Sequence, residues 1–172
     1  MAAKTVRPIC IIGKTAFVLL TQGKVAVIDA ADVHLVQGRN WFTARSRSTF
    51  YARTNTPRLT KNAAQGFLLL HRVIMDAPDH LQVDHEDGDG LNCRRSNMRL
   101  ATNAQNGMNK RRVSATMSGK KGVTWHCRQH KWNARIMAHG VMHNLGSFSE
   151  LADAKAAYDL ASKRLHGQFS RN

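Results

Sequence analysis

The amino-acid sequence predicts an α+β protein, with a β-rich first part, a central segment of strands and helix, and a three-stranded antiparallel sheet packed on one helix over the last third. Two observations carry this. Short runs of β-branched and aromatic residues recur between turn signals, and only a few stretches show apolar residues at helical spacing with a capping residue in front. A third bears on organisation: 172 residues suffice for one ordinary domain or two small ones, and 26 Lys+Arg against 11 Asp+Glu leave a formal net charge of +15.

Taken in order, residues 8–29 predict two strands, from Ile9, Ile11 and Ile12 through Phe17–Leu20 and on to Val25–Ile28. Asp29–Val36 predicts a short helix closed by Gly38. Trp41–Thr43 and Phe50–Ala52 predict further strands, with Arg45, Arg47 and Arg53 among small or apolar neighbours, and residues 53–63 a polar loop containing Pro57. Residues 64–75 are apolar enough for a packed helix ending before Pro78. After a turn-rich segment, Thr102 and Gln105 form a capping box for a helix reaching about Arg112. Residues 113–119 are small and polar and predict a linker.

The remaining segment is more regular. Gly122–Cys127, Lys131–Ala138 and His143–Phe148 predict three strands, with turn signals at Gln129-His130 and Gly140. Ser149 then caps a helix whose first turn carries Glu150 and Asp153. Leu151, Ala154, Tyr158, Ala161 and Leu165 make one apolar stripe, which Gly167 stops. The result is a three-stranded antiparallel sheet packed on one helix.

Charge narrows the partners. A large basic excess repels itself unless a polyanion is near, so nucleic acid or an anionic membrane is expected. No apolar run approaches the roughly 20 residues of a spanning helix, and the run Ile9–Leu20 is broken by Gly13 and Lys14 with no cleavage site evident. An intracellular polyanion is therefore favoured, with no membrane partner and no secretion. Cys10, Cys93 and Cys127 contain no CxxC pair and are odd in number, so neither a disulfide framework nor a structural zinc site is expected.

The charge is unevenly spread. Residues 1–70 carry ten basic and two acidic groups, residues 71–113 seven and six, and residues 114–172 nine and three. The middle third is balanced by Asp84-His85-Glu86-Asp87-Gly88-Asp89, a local acid cluster that suggests a place for a cation. Cleaving a phosphodiester needs a base to activate water, a cation to neutralise charge, and a means of stabilising the leaving oxygen. His85 is the natural base, since imidazole titrates near neutrality. Asp84 can ligate a hard cation, and Asn106, in the first turn of the capped helix, can complete the site. On a regular strand Asp84 and His85 would point to opposite faces; at a twisted strand end both could reach one phosphate. The acidic loop lacks the twelfth-position acid of an EF-hand.

The order Leu70-His71-Arg72-Val73-Ile74, Val83-Asp84-His85, Arg94-Arg95-Ser96-Asn97-Met98-Arg99, then Asn106 resembles the HNH homing endonucleases, most of all the phage and intron-encoded branch with Asn at the third position. The resemblance implies a ββα-metal catalytic core that hydrolyses DNA to 5′-phosphate and 3′-hydroxyl ends. It implies that His85 is the general base and that Asp84 and Asn106 hold one divalent cation, normally Mg2+, with Mn2+ able to substitute. It implies that Asn97 braces the loop and helps orient His85. The chain departs from the family pattern at Asn92 and Cys93, which bears on the stability of the loop. Asn109 is expected to be a neighbour, and His71 a packed helical residue. Arg94 and Arg95, and Lys110-Arg111-Arg112 at the helix end beside the site, are expected to grip phosphate.

Gly122-Val-Thr-Trp125, Lys131–Ile136, Asn144–Phe148 and Ala154–Tyr158 resemble the APETALA / ethylene-response-factor (ERF) DNA-binding domain, over about residues 118–172. That likeness implies a sheet face laid in the major groove. Alternation puts Trp132, Ala134 and Ile136 on the helix side and Asn133, Arg135 and Met137 outside. Thr124, His126, Arg128 and Asn144 share the outer face. Thr124, Met137 and Met142 stand where the plant relatives have Arg, so no sequence preference carries over. Residues 1–63 carry no motif, and their charge suggests a surface tracking the DNA backbone.

The expected organisation is thus a basic β-rich region at 1–63, the nuclease core at 64–112, a linker at 113–119 and the ERF-like module at 120–172. The expected partner is double-stranded DNA, with no obligate protein partner, a monomer, in the cytoplasm of a phage-infected cell. The rival readings are a DNA-binding regulator with an inactive core, an RNA-directed nuclease, and a toxin nuclease, the last disfavoured by Asn rather than His at position 106.

Overall fold

The computed structural model describes residues 6–46, 49–57, 64–109 and 117–170. It divides into two compact units, 1–102 and 103–172.

The first unit begins with three strands where two are predicted: β1 (Ile9–Ile12), β2 (Thr15–Leu19) and β3 (Val25–Asp29). The chain reverses at Gly13-Lys14, so Ile9 pairs with Val18 and Ile12 with Thr15. Alternation on β2 and β3 turns Ala16, Val18, Ala26 and Ile28 into the core. A 3-10 turn (Ala30–Asp32) and the single-turn α1 (Val33–Val36) follow. Trp41, predicted in a strand, precedes β4 (Phe42–Arg45) and is buried with its indole N–H donating to Val36 O at 2.9 Å.

β5 (Phe50–Asn55) is longer than predicted, and β6 (Phe67–Leu69) takes residues assigned to a helix. Pairing decides this: Arg53, Thr54 and Asn55 lie opposite Leu69, Leu68 and Phe67, so a cross-strand ladder overrides the helical character of the apolar run. Phe67 also stacks on Arg53, whose guanidinium carbon is 3.9 Å from the ring centroid. The helix itself, α2 (Leu70–Met75), keeps only the end of the predicted span and stops at Asp76, which adopts a left-handed backbone. β7 (Gln82–His85) and β8 (Met98–Ala101) then form an antiparallel hairpin around the acidic loop.

One core runs through all of this. Ala16, Val18, Ile28, Trp41, Leu70, Ile74, Val83, Cys93 and Met98 belong to a single buried cluster. Residues on both sides of position 63, from Ala16 to Met98, thus share one buried cluster.

The second unit opens with α3 (Asn103–Asn109), where Lys121 donates to the carbonyls of Gly107 and Met108 at the helix end. β9 (Val123–His126), β10 (Lys131–Ala138) and β11 (Val141–Phe148) form a sheet in the order β11-β10-β9, and α4 (Leu151–His166) packs on it. Val123, Ala134, Ile136, Ala154, Tyr158 and Ala161 make its core. Gly122 permits this closeness. Its φ is +73°, and a Cβ there would sit 2.3 Å from Arg135 O and from the Tyr158 ring. The helix starts one residue later than predicted: Glu150, not Ser149, is the N-cap, and it makes no side-chain cap bond. Gly167 ends the helix as expected.

Candidate active site

The site is built on the β7–β8 hairpin and the loop between its strands. Adjacent on β7, Asp84 and His85 are both buried, 3% and 5% exposed. As strand alternation requires, they meet different partners. Asp84 lies opposite Arg99 on β8, and Arg99 engages its Oδ2 through Nε at 2.9 Å and Nη2 at 2.8 Å. Along the chain Arg99 stands in the motif with no role of its own. The signal for it was the hairpin register, which cannot be fixed until the loop length is known.

His85 sits among aromatic rings. Its ring centroid is 5.1 Å from that of His71 and 5.9 Å from that of Tyr51, and Tyr51 and His71 are themselves 5.1 Å apart. Cys93 Sγ lies 3.9 Å from His85 Nε2. Burial lowers the pKa of His85, against the raising influence of the Asp87, Asp84 and Asp89 carboxylates. Burial, with smaller contributions from His85 and Arg72, takes His71 down to about 3. Burial, aided by Asp89 and Asp87, pushes the Cys93 thiol up to about 12. His71 is packed, as expected, but it is packed against the candidate base.

The acidic loop is held by its own side chains. The Asn97 amide donates to Asp87 Oδ1 at 3.0 Å and to Asn92 O at 2.8 Å, and its oxygen accepts from Asp87 N–H at 3.1 Å. Asn92 donates to Asp87 Oδ2 at 2.7 Å. Asp87 and Asp89 accept from the N–H groups of Asp89 and Leu91. Burial works to raise the Asp87 pKa, but these bonds outweigh it and the pKa is lowered. Asp87 is thus a hydrogen-bond hub, and the acid cluster is not simply a cation trap. Asn92 adds to the bracing, so the departure from the family pattern there does not loosen the loop.

The N-terminal strands hold the same loop from outside. Val27 N–H donates to Leu91 O and Cys93 N–H to Val27 O, at 2.9 and 2.8 Å. Thr49 Oγ1 accepts from Gly90 N–H at 3.0 Å. Gly90 is required at this crossing, since a Cβ would meet the Tyr51 ring at 2.4 Å and Phe50 O at 2.5 Å. Arg95, expected to grip phosphate, is committed to this bracing. Its guanidinium donates to both carboxylate oxygens of Asp32 and to Ile74 O, and its backbone N–H to Asp29 Oδ2. A buried carboxylate, Asp32 at 4% exposed, is a stronger partner than a surface contact. Arg94 lies 3.4 Å from Asp29 through Nε.

A family model described as HNH endonuclease matches residues 69–108, the segment that contains this hairpin. Protein 3.8 of Escherichia phage T7 is 34% identical over 94 residues, covering 55% of this chain and 77% of that protein. The chain is a relative of that phage protein and carries an HNH endonuclease domain. An uncharacterized HNH endonuclease, L560, of Acanthamoeba polyphaga mimivirus is 33% identical over 111 residues, covering 61% of this chain and 57% of that one. No solved structure matches. The HNH domain implies a nuclease acting on DNA, and HNH nucleases generally use a divalent metal. Among the described residues no helix is long and apolar enough to cross a membrane.

The other expected residues fall in the second unit. Asn106 lies half-buried on α3, and Asn109 is buried there. Lys110, Arg111 and Arg112 lie outside the described residues. On the sheet, Thr124 pairs with Asn133 and His126 with Lys131, which puts them on one face with Arg135 and its partner Asn144. Thr124, Arg135 and Asn144 are exposed, His126 is half-buried, and Arg128 is exposed in the turn after β9. Asn133 departs from expectation: it is only 8% exposed, and its Oδ1 accepts from Ser147 Oγ at 2.7 Å.

Proposed function

We propose that the protein is a metal-dependent DNA endonuclease of the homing type, with His85 as general base. The observation that carries this reading is the placement of His85, buried at the end of β7 beside an ion-paired Asp84, in a loop clamped by Asn97. Burial keeps the imidazole neutral at pH 7, the form able to take a proton from the attacking water. His71 and Tyr51 wall its ring and restrict its rotation. Arg99 fixes the Asp84 carboxylate.

The donors fit a hard divalent cation, because carboxylate and amide oxygens are the ligands magnesium prefers. Asp84 and Asn106 would hold one Mg2+, or Mn2+ in its place. When bound, the ion supplies charge neutralisation at the phosphate and at the leaving 3′ oxygen. Asn97 keeps the loop and the base in register. The products are 5′-phosphate and 3′-hydroxyl ends.

The C-terminal sheet, read as an ERF-like module, grips double-stranded DNA through Thr124, His126, Arg128, Arg135 and Asn144, with Arg94 and Lys110–Arg112 on the backbone. One active site per chain favours nicking by a monomer. The test is conversion of supercoiled plasmid to open circles in Mg2+, comparing the protein with His85→Ala. Cutting that is lost in the variant and in EDTA supports the reading. No cutting by either protein would instead identify a DNA-binding regulator.

A further inference from the structure

His71, His85 and Cys93 come from α2, the end of β7 and the loop, and each offers a ligand atom within 4.8 Å of the other two. All three are buried, at 6%, 5% and 0% exposure. The Sγ–Nε2 distance of 3.9 Å between Cys93 and His85 is close to the ~3.6 Å edge of a tetrahedral zinc site with Zn–S and Zn–N bonds of ordinary length. His71 Nδ1 is buried and has no hydrogen-bond partner among the described residues, a costly condition that needs an explanation. Two imidazoles and a thiolate form a soft donor set. It suits zinc and rejects magnesium, whereas the oxygen donors of Asp84 and Asn106 do the reverse.

We propose that His71, His85 and Cys93 form a second, inhibitory metal site that takes Zn2+. On binding, the Cys93 thiol releases its proton to solvent, and the thiolate, the two imidazoles and a fourth ligand from water surround the ion. The inhibition rests on the reading of His85 as the base: an imidazole whose lone pair is on zinc accepts no proton from water. Zinc therefore opposes the magnesium-dependent reaction without competing for the magnesium ligands.

The test uses the full chain carrying Cys10→Ser and Cys127→Ser, which removes the two exposed thiols, after metal is stripped with EDTA. Cobalt(II) is the probe. One equivalent is expected to give intense tetrahedral d–d absorption with a thiolate-to-cobalt charge-transfer band, and one equivalent of zinc is expected to abolish both. Adding Cys93→Ser should remove the charge-transfer band, and His71→Gln should weaken cobalt binding by at least about 10-fold. Cys93→Val replaces Cys93→Ser if circular dichroism shows the latter unfolded. In the Mg2+ nicking assay, half-inhibition of the Cys93 variant should need at least about 10-fold more zinc, each protein being compared with its own zinc-free rate.

Absence of the charge-transfer band in a folded protein, or equal zinc sensitivity with and without Cys93, would overturn the proposal. The cobalt spectrum without nicking under any condition upholds the metal site and removes the nuclease reading. Nicking without the spectrum removes the metal site alone.

Discussion

Arg99 reaches across the β7–β8 hairpin and holds Oδ2 of Asp84 through two nitrogens, at 2.9 and 2.8 Å. The carboxylate is almost wholly buried, and Arg99 is a charged partner held against it. Arg99→Met should cost about 3 kcal/mol of unfolding free energy, the usual penalty for removing one partner of a buried ion pair. Arg99→Met combined with Asp84→Asn should regain most of it, because no charge is then left to solvate. Urea unfolding of the two single variants and the double variant measures this. A double variant as unstable as Arg99→Met would show that the pair contributes packing and not charge compensation.

Asn97 ties Asp87 to Asn92 with three hydrogen bonds from one side chain. Asn97→Ala should cost about 2 kcal/mol, given that each bond contributes roughly 1 kcal/mol and some are regained from water. It should lower kcat by about 100-fold, as expected when a residue that orients a catalytic group is lost. Asn97→Asp, almost identical in shape, should be the more damaging, because it loses both donors and sets a carboxylate against Asp87. Equal stability of the Ala and Asp variants would mean that the bonds to Asp87 are not what holds the loop.

The hairpin was legible because its residues are contiguous. Asp84, His85 and Asn97 can be read along the chain, and strand alternation and hairpin order follow from local pattern. The supports were not legible, because they come from elsewhere in the chain. Asp32 is 63 residues from Arg95, and Thr49 is 41 from Gly90. No motif marks either, and so residues 1–63 read as a basic DNA-tracking surface when part of them is the frame of the acidic loop. The same limit explains β6. Phe67–Leu69 has no strand signal of its own, and becomes a strand only because β5 offers it a ladder. Alternation predicts Asn133 on the outer face, yet it is buried, with its Oδ1 accepting from Ser147 Oγ on β11.

Two arginines expected to bind DNA should separate in experiment. Arg95 is spent on Asp32 and Ile74, while Arg135 is exposed on the open face of β10. Arg95→Ala should destabilise the protein by about 2 kcal/mol and leave the salt dependence of DNA binding unchanged. Arg135→Ala should barely change stability and should reduce the slope of log Kd against log salt by about one, the signature of one lost phosphate contact. Fluorescence anisotropy with a labelled duplex across a salt series, alongside thermal melts, distinguishes them. A reduced slope for Arg95→Ala with an unchanged Tm would return that residue to the DNA surface.

The His71–His85 pair makes the fold sensitive to acid. An imidazole in the unfolded chain titrates near 6.5, whereas folded His71 is held down to about 3 and His85 is also lowered. Above the ordinary value both states are neutral and neither residue makes stability depend on pH. As pH falls from about 6.5 towards 3, the unfolded chain binds protons that the folded one refuses, so stability is lost through that window. His71 alone contributes up to one proton, or about 1.4 kcal/mol per pH unit. His71→Phe keeps an aromatic ring in the cluster and removes this titration, so its unfolding free energy should fall less steeply between about pH 6 and pH 4 than that of the unaltered protein. Urea unfolding in EDTA-treated buffer at several pH values reads the two slopes. Parallel slopes would show that His71 takes up its proton as readily in the folded chain as in the unfolded one, and would overturn this account.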